Sequence, residues 1–178
     1  MIAMKLRLLS AVSVLAALFS GCSFEADLSD LQITQHGLIV PGVPQTTLGS
    51  PSSTRSSFPL SSADVAWAKG MKTDVLVHQV RIVASDSLFT LDFIDWARVT
   101  AAAPSSSESA IPIMNYERTE QAPSSTVIDV SIPSPVNITT VWSADETVIE
   151  LQMAGQLPEE DWTVDVALNL SGKITYTL

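Results

Sequence analysis

The sequence predicts an all-β protein, an antiparallel β-sandwich carrying one or two short helical turns. Two observations predict it. Apolar residues recur with a period of two in short segments, most plainly Trp162, Val164, Val166, Leu168 and Leu170. Alternation of that kind sends one face of a strand into a core and the other into water. Clusters of proline, glycine, serine and aspartate stand between these segments, and no long 3.6-residue pattern follows residue 21. The length of 178 residues suits one domain. A mean hydropathy of +0.29 with 16% charged residues argues against intrinsic disorder.

The N-terminus has its own logic. Lys5 and Arg7 form a short basic region, Leu8 to Phe19 an apolar run, and Ser20-Gly21-Cys22 a small-residue break. The run is too short for a membrane-spanning helix, which needs about 20 apolar residues. This order of charge, apolar stretch and small residues is that of a secretory signal peptide.

Phe19-Ser20-Gly21-Cys22 resembles the lipobox of bacterial lipoproteins. It departs at Phe19, where that family more often has Leu, Val or Ile. The resemblance implies that residues 1–21 are a signal peptide removed just before Cys22, and that the Cys22 thiol carries a diacyl group. Two or three acyl chains make a firm anchor, at about 0.8 kcal/mol per buried CH₂. Ser23 is not the aspartate that the family associates with inner-membrane retention, so the resemblance implies outer-membrane delivery. Processing would change the arithmetic: 178 residues less 21 leave 157, and the charge of −10 loses two basic residues to become −12. The segments 22–44 and 157–172 also resemble short bacterial lipoproteins of β-sandwich character, a group that implies no activity.

Residues 22–30 are short and acidic and are expected to tether the domain that spans 31–178. Leu31 and Ile33 alternate and Leu38-Ile39-Val40 follows, giving one or two short strands. Residues 41–63 hold Pro41, Pro44, Pro51 and Pro59 among serines and threonines, a composition expected to be mostly irregular. Asp74–Ala84 is a β-branched strand with Leu76, His78, Val80 and Ile82 on one parity. A turn near Leu91–Asp95 leads into a strand at Ala97–Ala102. Residues 104–109 form a hairpin tip, and Ile111–Arg118 returns with Pro112 marking an edge. Thr126–Ile132 alternates. Ser134-Pro135 has the capping serine and first-turn proline of a helix start, so one or two helical turns are expected over Pro135–Trp142. A strand with Ile149, Leu151 and Met153 inward follows. The last strand begins at Trp162 and continues, bent at Gly172, towards the C-terminus. Seven or eight strands of this length suit an immunoglobulin- or fibronectin-like sandwich.

Composition limits the chemistry. One cysteine excludes an internal disulfide, and two histidines with one cysteine build no sulfur–imidazole zinc cluster. The acidic balance argues against a nucleic-acid partner. There is no Gly-x-Ser-x-Gly elbow, phosphate loop or dinucleotide fingerprint. Asp145-Glu146 and Glu159-Glu160-Asp161 are expected to be solvated loop tips in preference to calcium ligands. No catalytic residue, cofactor or metal is therefore expected, and Cys22 is the one residue with a chemical role, as lipid acceptor. The expected role is that of a lipid-anchored, non-enzymatic envelope protein with a structural or partner-binding task. The alternative is a module binding carbohydrate or another envelope component, which calls for at least two of Trp67, Trp96, Trp142 and Trp162 exposed on one face. An enzyme would need His36 or His78 within hydrogen-bond reach of a serine or carboxylate in a cleft.

Overall fold

The computed structural model describes residues 23–44, 52–60, 72–86, 89–103, 109–119, 122–142 and 147–177. They form eight strands: β1 (Ser23–Val40), β2 (Ser52–Leu60), β3 (Lys72–Ala84), β4 (Ile94–Ala102), β5 (Ile111–Glu117), β6 (Val127–Asn137), β7 (Thr147–Gly155) and β8 (Trp162–Thr177). Two four-stranded antiparallel sheets result, ordered β1-β8-β3-β6 and β2-β7-β4-β5. The antiparallel sandwich is as expected. Its order is that of a jelly roll, in which successive strands mostly alternate between sheets, in place of an immunoglobulin-like order. Alternation tells which side of a strand is apolar and leaves the choice of neighbour open.

The core lies between the sheets. Val164, Val166, Leu168 and Leu170 from β8 meet Ile149, Leu151 and Met153 from β7, with Val77, Val80 and Ile82 from β3. At one end Phe89 and Phe93 stack edge-on against each other at 5.3 Å, and Phe93 meets Trp162 at 5.2 Å. The edge strands β1 and β2 close one side of the sandwich. Buried Thr54 and Ser56 donate their hydroxyls to Pro41 O at 3.1 Å and Ile39 O at 2.7 Å. Buried hydroxyls need partners, and the outer strand of the other sheet supplies them.

Four expectations are corrected. Residues 23–30, read as a tether, are strand: Ser23 pairs with Thr177 and Leu28 with Gly172. Within the supposed irregular segment 41–63, Ser52–Leu60 is β2, paired along its length with β7. Its inward positions carry Thr54 and Ser56, so the apolar signal is absent from half the strand. Pro59 is tolerated because β2 is an edge. The helix start at Ser134-Pro135 is not used. Both residues lie in β6, and the single turn comes later, where Val141 N and Trp142 N donate to Ile138 O. Asn137 Oδ1 accepts from Thr139 N at 2.9 Å and starts that turn. Finally, Leu76 does not share the inward parity of Val80 and Ile82. Val75 and Val77 are buried before His78, and Val80, Ile82 and Ala84 after it. The extra residue at His78 switches the parity.

The turn near Leu91–Asp95 is present, with Ile94 N donating to Leu91 O at 3.1 Å. Strand β5 is an edge, as Pro112 requires. The last strand runs unbroken from Trp162 through Gly172 to Thr177.

Candidate functional site

The site is built from irregularities in strands that surround one stretch of β8. Strand β1 shifts register between Leu28, opposite Gly172, and Leu31, opposite Leu170. Asp30 in that bulge has φ of 59°, a left-handed conformation rare for residues other than glycine. Strand β3 shifts where Val77 faces Leu170 and Gln79 faces Asn169, leaving His78 as the bulged residue. Strand β6 shifts most: Ser131 is opposite Gln79 but Val136 is opposite Val77, so residues 132–135 leave the ladder. Pro133 and Pro135 lie in that stretch and cannot donate to a ladder.

Together these shifts shape a groove of about 400 Å³ on the outer face of the first sheet. Its polar lining comes from Ser29 and Asp30 of β1, His78 and Gln79 of β3, Ser131 of β6, and Asn169 and Ser171 of β8. Asn169 Nδ2 donates to Gln79 Oε1 at 2.5 Å, and Gln79 Nε2 donates to Asp129 Oδ1 at 2.6 Å. This chain of amides ends on a carboxylate and fixes both side chains, while Asn169 Oδ1 and the second N–H of each amide keep their capacity for a ligand. His78 Nε2 lies 2.5 Å from Ser171 Oγ.

The His78–Ser171 pair is the contact that an enzyme would need, and it lies in a cleft. A nucleophile–base pair also needs the base oriented by a third group. Among the described residues, no carboxylate bonds the His78 ring. The pair is suited to holding the β3 bulge against β8 and to presenting hydrogen-bonding groups.

His36 lies elsewhere on the same sheet, in a second β1 bulge at His36-Gly37, where Gly37 has φ of 60°. Asp165 caps this bulge. It accepts from Gly37 N at 2.8 Å and Ser85 Oγ at 3.1 Å, and its Oδ2 lies 2.9 Å from His36 Nδ1. The Gly37 amide, then the His36 and Ser85 hydrogen bonds, hold the Asp165 carboxyl below the ordinary value of 3.8 against the opposing effect of partial burial. Asp92 is a second such carboxylate. The Ser124 hydroxyl lowers it most, with help from the Ser125 amide and from Arg118, whose Nη2 is 3.1 Å away.

A folded carboxyl held below its unfolded value contributes stability that is complete above the unfolded value and disappears as pH falls through the folded one. Urea midpoints should therefore be level from pH 7 down to about 5 and fall below it. Asp165→Asn should lower the midpoint at pH 6 and make the fall between pH 5 and 3 shallower. An unchanged acid profile in Asp165→Asn would contradict this assignment.

Among the described residues the tryptophans do not form a platform. Trp162 is buried, its Nε1 without a hydrogen-bond partner among the described residues, and Trp142 packs on the core. Trp96 faces outward from β4, covered by the Arg98 guanidinium at 4.8 Å. Trp67 and Asp145-Glu146 lie outside the described residues, as does Cys22. Asp161 Oδ1 accepts from Gly42 N at 2.9 Å and so joins the loop after β7 to the end of β1. Of the groove, the sequence singled out His78 alone. Ser29 and Asp30 fall in the expected tether and Gln79, Asn169 and Ser171 read as ordinary strand residues, and only the register brings them together.

No protein-family model and no curated protein sequence matches the chain. Among solved structures, it is similar to the decameric BFDV capsid protein, at 10% identity and a TM-score of 0.39 over 86% of this chain and 99% of that one. The 60-mer form of the BFDV capsid protein is similar at 8% identity and a TM-score of 0.38, over 89% and 96% of the two chains. A structure of infectious bursal disease virus, Gt strain, is matched at 10% identity and a TM-score of 0.24, over 87% of this chain and 32% of that chain. The jelly-roll order stands on the strand pairing of this chain itself.

Proposed function

We propose that this protein is a lipid-anchored component of a bacterial cell envelope, held at the membrane through acylated Cys22 and acting by binding or structure, without catalysis. The observation that carries the reading is the order of the first 22 residues: Lys5 and Arg7, then Leu8 to Phe19, then Ser20-Gly21-Cys22. The outer membrane is the proposed destination, because Ser23 follows the cysteine. The proposed partner is another envelope component, protein or glycan, and not nucleic acid.

The competing reading is an enzyme, because His78 Nε2 lies 2.5 Å from Ser171 Oγ in the groove, the contact that reading asks for. Anchoring is tested with Cys22→Ala, expressed in a Gram-negative host fed a labelled fatty acid. The variant should carry no label, and should fractionate as soluble or persist unprocessed. Labelling, processing and membrane partitioning equal to those of the parent chain would refute the anchor.

A further inference from the structure

The groove across the first sheet has features that select a class of ligand. Its polar lining is mostly hydroxyls and amides, from Ser29, Ser131 and Ser171 and from Gln79 and Asn169, with the imidazole of His78 beside them. Among the described residues, Asp30 is its one carboxylate and no lysine or arginine lines it. An anionic ligand would meet Asp30 and an acidic chain, with only the His78 imidazole to offset them. An apolar ligand would leave the Asp30 carboxylate and the groove's amides and hydroxyls without partners. What remains is a ligand that both donates and accepts hydrogen bonds at short intervals.

We propose that this groove binds a neutral pyranose ring, with Asp30 and Asn169 receiving neighbouring hydroxyls. A carboxylate offers two acceptor oxygens, and a primary amide offers a donor beside an acceptor; both suit vicinal hydroxyls. The Asn169–Gln79–Asp129 chain holds the amide in place before the ligand arrives. Asp30 is placed by a bulge that keeps it in a left-handed conformation, a strain of the kind found where a side chain must be aimed. With no Trp, Tyr or Phe in the lining among the described residues, and with each hydrogen bond contributing little net, binding of a single ring is weak, on the order of a millimolar dissociation constant. This inference is independent of the lipid anchor.

The test is a titration of the ¹⁵N-labelled full chain in a detergent free of sugar, following the side-chain amide signals of Gln79 and Asn169. The probes are the methyl glycosides of glucose, galactose and mannose, with glucuronate as the charged counterpart. At least one neutral glycoside should give saturable shifts, with glucuronate at least tenfold weaker. Asp30→Gly should weaken binding at least fivefold and leave the backbone spectrum otherwise native, because glycine adopts a φ of 59° readily. Asn169→Ala should weaken it similarly. No saturable shift with any of the three glycosides would overturn the proposal. So would glucuronate binding as tightly as they do, or full affinity in a folded Asp30→Gly protein.

Discussion

Gly155→Ala should be among the most damaging single changes in this protein. Gly155 ends β7 with φ of 152°, wedged between β2 and β4 and opposite both Ser52 and Ile94. A Cβ there would lie 2.0 Å from Phe93 O and 2.8 Å from Asp95 N. Both obstacles are backbone, and Phe93 O already accepts from Gln156 N at 2.8 Å, so neither moves without breaking the entry to β4. The expected loss is on the order of 4 kcal/mol or more, read from urea or thermal unfolding. Gly37→Ala is the matched comparison. Gly37 also has a positive φ, but nothing lies within 4 Å of its Cβ position. That change should cost about 1–2 kcal/mol, the conformational term alone. Equal losses at the two positions would show that the close approach of β7 to residues 93–95 is not the cause.

Leu168→Ala should follow in size. Leu168 lies on β8, fully buried, with Ile33 of β1 on one side and Val80 of β3 on the other. Removing a side chain from the middle of a closed layer forfeits its burial and leaves a space that two paired strands cannot close. The expected loss is about 2–5 kcal/mol. Thr163→Ala, on the exposed face of the same strand, should change stability by about 0.5 kcal/mol at most. A Leu168→Ala loss below about 1 kcal/mol would mean that the sheets do not pack through β8 as described.

Legibility of the fold in the sequence followed the apolar signal strand by strand. Strands β7 and β8 were plain, because Ile149, Leu151 and Met153, and Trp162 through Leu170, put a large apolar residue at nearly every inward position. Strand β2 was hidden because its inward Thr54 and Ser56 are hydrogen-bonded to β1, and satisfied hydroxyls look like loop residues in a sequence. Ser134-Pro135 carried the local chemistry of a helix start, but the pairing of Val136 and Asn137 with β3 took those residues into β6. The first half of β1 looked like a tether because Phe24 and Leu28 are its only large apolar residues before Leu31. Its pairing with β8 is carried by backbone ladder bonds. The groove was hidden for a related reason. A bulge is a property of two strands in register, and Asp30, His78 and Ser131 lie far apart in the chain. The lipid-anchor reading, in contrast, rests wholly on local order and needed no tertiary information.

The most direct test of the central claim is the intact mass of the protein extracted from membranes of a Gram-negative host, combined with sequencing of its N-terminal peptide. The account predicts a chain that starts at Cys22, lacks residues 1–21, and is heavier than its 157 residues by the glyceryl and fatty-acyl groups on that cysteine. A chain that retains Met1, or one that begins elsewhere with Cys22 unmodified or absent, would contradict it.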